Sequence, residues 1–160
     1  MEENKFELVS KRGKDAICDF YTDLFTKSLA IKFLANIDTD VCIKEVVEKI
    51  CEKDCKIFEK VTKAIKRLDI DLEHKYEIEF NGEIKLKEVL DYCENSIDSL
   101  NNTLDILYEE QDWVAAMMFA DLAKKMYDQY HTAKKLYKIL SSDEDNVMKR
   151  LQVKELADAD

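Results

Sequence analysis

The sequence predicts an all-α protein, with four long helices bundled around one core and a short fifth helix at the C-terminus. Three observations carry that reading. Of 160 residues none is proline and only two are glycine, so little interrupts a helical run. Charged residues make up 38% and apolar ones 46%, a balance typical of long helices. The apolar residues recur at intervals of three and four, which stacks them on one helix face. The length suits one domain with a sizeable core, so residues 1–160 read as a single unit with its core in 5–140.

The first helix is expected over Lys5 to Ala35. Val9, Gly13, Ala16, Ile17, Phe20, Leu24, Ile31 and Leu34 form its inner face. Gly13 on that face reads either as a close approach by a neighbour or as a tolerated surface glycine. Asp23 lies at the edge of the stripe, about 60° from Phe20. Asn36 to Asp40 reads as a short turn, with Asp38 or Asp40 capping the second helix. So short a link makes the first two helices antiparallel neighbours.

The second helix, Val41 to Leu72, carries the clearest stripe: Val47, Ile50, Cys51, Ile57, Phe58, Val61, Ile65 and Leu68. Asp54 falls near the middle of it. A buried ionised carboxylate needs a partner or a metal, so whatever faces Asp54 is the best clue to function.

The stretch Tyr76 to Leu86 alternates apolar and charged residues around Asn81-Gly82, a hairpin signal. A three-residue loop of Phe80, Asn81 and Gly82 pairs Ile78 with Ile84 and Tyr76 with Leu86, better matched than the two-residue register. A second reading competes with the hairpin. If the second and third helices are parallel, this stretch crosses the length of the bundle. Fourteen extended residues span at most about 45–50 Å, just enough for that. A compact hairpin implies up-down-up-down order instead.

The third helix is expected over Leu86 to Glu109, with Leu86, Leu90, Cys93, Ile97, Asn101, Leu104 and Tyr108 inward and Glu94 at the edge. After the turn Glu109 to Asp112, a fourth helix is expected to run to Leu140. It is apolar almost all round from Trp113 to Ala123 and should be the most enclosed. Leu122, Met126, Gln129, Ala133, Leu136 and Leu140 continue its stripe. Ser142, with Asp145 three residues on, reads as the cap of the short helix over 143–157.

A net charge of −10 argues against a nucleic-acid partner. No apolar run approaches 18 residues and no charged-then-apolar leader opens the chain, so neither a membrane span nor a signal peptide is expected. Cys18, Cys42, Cys51, Cys55 and Cys93 are odd in number and spread over helical segments. Free thiols in the cytoplasm are the simplest reading.

Two helical hairpins joined by one long connection, with carboxylates on inner faces, resemble the ferritin-like superfamily, bacterioferritin and rubrerythrin above all. In that family each half supplies one carboxylate from its first helix and an E-x-x-H from its second, and the set holds two metal ions. The resemblance covers about residues 5–140. It implies Asp23 (or Asp19) and Glu94 as first-helix carboxylates, and it places the second-helix motif on Asp54-Cys55-Lys56-Ile57. Isoleucine stands there where the family has histidine. Asp128-Gln129-Tyr130-His131 is similar to the other motif. The helical wheel runs the inner stripe through Met126 and Gln129 and leaves His131 about 160° away, on the surface.

The candidate metal ligands are therefore Asp23, Asp54, Glu94, Asp128 and His131. An oxygen-rich set of this kind suits Mg²⁺, Mn²⁺ or Ca²⁺ better than Zn²⁺, and iron is what the resemblance implies. The competing reading is a buried polar network, with Asp54 bonded to Asn101, Gln129, a tyrosine or a lysine. Cys51 and Cys55 read as a soft-metal or redox pair or, with no further ligands, as small buried hydrophobes. No phosphate loop, nucleophile elbow or zinc-finger spacing occurs.

Three functions are expected. The first is a non-catalytic cytoplasmic binding or assembly protein on a ferritin-like scaffold, a homodimer or larger oligomer because of the apolar girth of the fourth helix. The second is a ferritin-like metal-dependent oxidase that binds or oxidises iron or another divalent metal. The third is an acidic adaptor for a basic protein partner.

Overall fold

The computed structural model describes residues 8–35, 40–72 and 83–159. Among them all regular structure is helical: α1 (Lys11–Ala35), α2 (Val41–Arg67), α3 (Leu86–Glu109), α4 (Trp113–Ala120), α5 (Ala123–Ser141) and α6 (Asn146–Asp158). No helix is long and apolar enough to cross a membrane among those residues.

Several helix ends have an identifiable cap. The Asp40 carboxylate accepts from the Cys42 N–H at 2.9 Å and caps α2, and Lys66 and Arg67 suit the negative end of its dipole. Beyond that end Asp69 turns left-handed, with φ 54°. The Ile70 N–H then reaches back to the Ile65 carbonyl at 3.1 Å, which satisfies an orphaned acceptor. The end of α3 repeats the device. Gln111 has φ 58° and the Asp112 N–H bonds the Leu107 carbonyl at 2.9 Å.

The start of α1 depends on a distant residue. The Ser10 hydroxyl accepts from the Gly13 N–H at 3.0 Å. The Asp112 carboxylate in turn accepts from the Ser10 N–H and hydroxyl, at 3.0 and 2.8 Å. This cap starts α1 at Lys11, six residues later than the stripe suggests. It also explains Gly13: a Cβ there would collide with the Asp112 carboxylate and lie 2.8 Å from Val9 Cγ1.

Contacts give the topology. The Arg12–Glu109 ion pair joins the start of α1 to the end of α3, so those helices are antiparallel. Tyr21 packs on Phe58 and Lys27 meets Asp54, so α1 and α2 are antiparallel too. Lys53 pairs with Asp128 and Lys60 with Asp121, which sets α2 against the α4–α5 segment. Tyr130 reaches Glu94, and Lys87 lies over the Tyr137 ring, which sets α5 against α3. Around the ring the order is α1, α2, α5, α3. Every neighbouring pair is antiparallel, so α2 and α3 stand on a diagonal and run parallel.

Leu72 packs with the core at one end of the bundle and Ile84 at the other. The chain thus crosses the bundle between α2 and α3, the second of the two orders open from sequence. The hairpin expected over 76–86 falls largely on 73–82, outside the described residues. Of its second arm, 83–85 has no regular structure and Leu86 opens α3.

Several expectations need correction. The fourth helix is two: at Asp121 and Leu122 the ladder tightens, and the Leu122 N–H closes on the Phe119 carbonyl at 3.1 Å. The α4 segment is not enclosed, since Trp113, Val114 and Met117 are exposed. On α3 the expected Leu90, Cys93 and Ile97 are buried, together with Val89, Ser96, Leu100, Thr103 and Leu107, whereas Leu86 and Leu104 are half-buried and Asn101 and Tyr108 lie outside. Ser96 and Thr103 are tolerated inside because their hydroxyls bond the Cys93 carbonyl at 2.8 Å and the Ala16 carbonyl at 3.3 Å. Asp145, not Ser142, caps α6, accepting from the Met148 N–H at 2.8 Å. Buried Val153 docks α6 on α2 and α5.

Candidate functional site: a polar layer at mid-bundle

The core is two apolar clusters, one at each end of the bundle. On α1 the first ends at Leu24 and the second begins at Ala30. On α2 they are divided between Ile50 and Ile57, on α3 between Cys93 and Ile97, and on α5 between Met126 and Ala133. Into these gaps fall Lys27, Ser28, Asp54, Ser96 and Gln129, all buried. One polar layer therefore divides the core at mid-height.

Lys27 is fully enclosed. Its Nζ donates to Gln129 Oε1 at 2.8 Å and lies 3.2 Å from Asp54 Oδ1. Gln129 Nε2 donates to the same Asp54 Oδ1 at 3.1 Å and to the Ile50 carbonyl at 3.2 Å. The Ser28 hydroxyl donates to Asp54 Oδ2 at 2.6 Å. Both oxygens of Asp54 are thus engaged, and the amide orients the ammonium and the carboxylate together. The network matches the polar alternative for Asp54, with Gln129 and a lysine as partners.

The other expected ligands do not join it. Asp23 is half-buried on α1. Glu94 is exposed and accepts from the Tyr130 hydroxyl at 2.7 Å. Asp128 is exposed and paired with Lys53, whose hydrogen bond and charge hold its carboxyl below the usual range. His131 is exposed, beside the Tyr127 and Tyr130 rings. It follows Gln129 by two residues, about 200° round the helix, so an inward Gln129 turns His131 outward. Among the described residues no three His, Cys, Asp or Glu side chains converge as metal ligands.

The donor chemistry of the layer does not fit two divalent ions. It holds a single carboxylate, with an ammonium already beside it. A cation placed there would meet the charge of Lys27 before it met a second anion. Asn101 takes no part, being exposed on α3.

Two thiols are pushed up to about 11. Burial is the main cause at Cys93, and burial followed by the Asp54 charge at Cys51. They stay protonated and unreactive near neutral pH. Cys55 is exposed and Cys51 is half-buried.

Lys27 is the residue that the sequence reasoning misses, although a signal was present. Ile17, Phe20, Leu24, Lys27 and Ile31 keep the three-and-four spacing, with lysine in register on an apolar stripe.

No protein-family model matches the chain, nor does any curated protein or solved structure.

Proposed function

We propose that the chain is a non-catalytic binding or assembly protein of the cytoplasm, built on a ferritin-like bundle, with a second copy of itself as its first partner. Support for the scaffold is the crossing between α2 and α3 and the antiparallel contact of every neighbouring pair. The observation that carries the binding role is α4. Its eight residues include no charge, and Trp113, Val114 and Met117 are 56%, 49% and 74% exposed. The exposed Tyr108 ring lies 6.1 Å from that of Trp113 and extends the patch. A contiguous apolar surface facing water is a contact surface or an aggregation hazard. An apolar patch that packs against the same patch of a second copy would give a two-fold homodimer.

Sedimentation across micromolar concentrations tests the reading. The wild type is expected to associate, and Trp113→Glu with Met117→Glu is expected to give a monomer with an unchanged helical spectrum. A wild type that stays monomeric at every concentration would overturn it.

A further inference from the structure

The net charge of −10 conceals a segregation. Six acidic residues and one lysine lie on α3, whereas α5 carries five lysines and one aspartate. On α2, Lys49, Lys53, Lys56, Lys60, Lys63 and Arg67 succeed one another at intervals of four and three. That spacing places one cation per turn along a single face.

A groove of about 450 Å³ runs beside this row, between α2 and the α4–α5 junction. Lys56, Lys60, Lys63, Arg67 and Lys125 line it, against only Glu59 and Asp121, with Ala64 and Met118 as its apolar residues. Lys60 and Lys63 are already paired, with Asp121 and Glu59. Lys56 and Arg67 make no hydrogen bond or ion pair among the described residues, so cationic charge is in excess.

We propose that this groove docks an acidic amphipathic helix of a partner protein. Lys56 to Arg67 spans eleven residues, about 16 Å of helix. A partner helix with Glu or Asp at i, i+4, i+7 and i+11 offers one anion per turn, the spacing of the cations. Apolar residues beside those anions would meet Ala64 and Met118. A long phosphate polymer fits less well, because Glu59 and Asp121 stand within the groove. The site is separate from the α4 patch, and charge complementarity rather than apolar area selects the occupant.

The probe is a labelled synthetic helix with glutamates at that spacing and leucines beside them, its binding to the whole protein read by fluorescence anisotropy. Binding is expected at low salt, weakening as salt rises. Lys56→Glu with Arg67→Glu is expected to weaken it by about tenfold or more, and Lys56→Glu alone by less. Lys56→Arg with Arg67→Lys should keep it. A control of equal charge change, Lys11→Glu with Lys14→Glu, should alter it by no more than about twofold. No binding at any salt would overturn the proposal, as would equal weakening by the control pair. So would equal affinity for polyglutamate without leucines, or tighter capture of RNA or anionic vesicles by the same lysines. Sedimentation of the α4 variants reports separately on self-association, so failure of either reading is seen on its own.

Discussion

Lys27 and Lys60 are the same residue type, each beside one aspartate, and the bundle uses them in opposite ways. Lys27 is fully buried and its partner Asp54 nearly so. The side chains of Lys60 and Asp121 are 34% and 69% exposed. Water screens the outer pair, so removing one partner leaves a solvated charge that costs little. At mid-bundle the same removal strands a charge among apolar neighbours, and the loss is large. The inner pair therefore constrains the fold, whereas the outer cations can be redirected to a partner.

The largest expected effect breaks the inner pair. Asp54→Ala should lower unfolding free energy by about 3–5 kcal/mol in urea, whereas Asp121→Ala should cost below about 1 kcal/mol. Equal losses would erase the distinction.

Gly13→Ala comes next. The added carbon would push the Asp112 carboxylate off Ser10 and loosen the start of α1, at a cost of about 1–3 kcal/mol read from the urea midpoint. A neutral result would mean that Asp112 moves aside freely.

Gln111→Gly should act the other way. The left-handed backbone there is strained for any residue with a Cβ, so glycine should raise stability by up to about 1 kcal/mol in thermal melts.

The smallest effect sharpens the description of the outer pairs. The Asp121 and Asp128 carboxyls are held below their ordinary 3.8, by Lys60 and Lys53. A carboxylate whose folded value is lowered adds stability above the unfolded value and loses it as pH falls through the folded one. These pairs should therefore add a slight stabilisation at neutral pH that fades below 3.8. Lys53→Met with Lys60→Met should flatten that acid limb in a pH series of melts.

Much of this was legible in the sequence. The stripe of α2 placed its buried face and put Asp54 within it, because apolar spacing reports which side a helix buries. Lys27 was legible by the same rule but is disguised by its type, since lysine is rarely found fully inside. The row on α3 held at Leu90, Cys93 and Ile97 and failed further on, at Asn101 and Tyr108, because the buried face there includes a polar residue, Thr103, whose hydroxyl bonds a carbonyl of α1. The apolar girth of α4 was visible, but composition does not say whether the chain or a partner covers it. The break at Asp121 and Leu122 has no proline or glycine to announce it. The basic groove was hidden because net charge averages over faces that only the fold separates. Of the ligand set implied by the ferritin-like resemblance, the outward His131 was legible from the wheel that puts Gln129 inward, whereas the partners that hold Asp128 and Glu94 at the surface, Lys53 and Tyr130, lie on other helices and were not.

The central claim is that the Lys27 ammonium supplies the positive charge that Asp54 requires at the centre of the bundle. A double-mutant cycle in urea tests it most directly, with Lys27→Met, Asp54→Asn and the pair together. The account predicts that each single change is destabilising and that Lys27→Met restores stability when added to Asp54→Asn, because it removes a stranded ammonium. Additive losses, with Lys27→Met costing as much in that background as in the wild type, would contradict it.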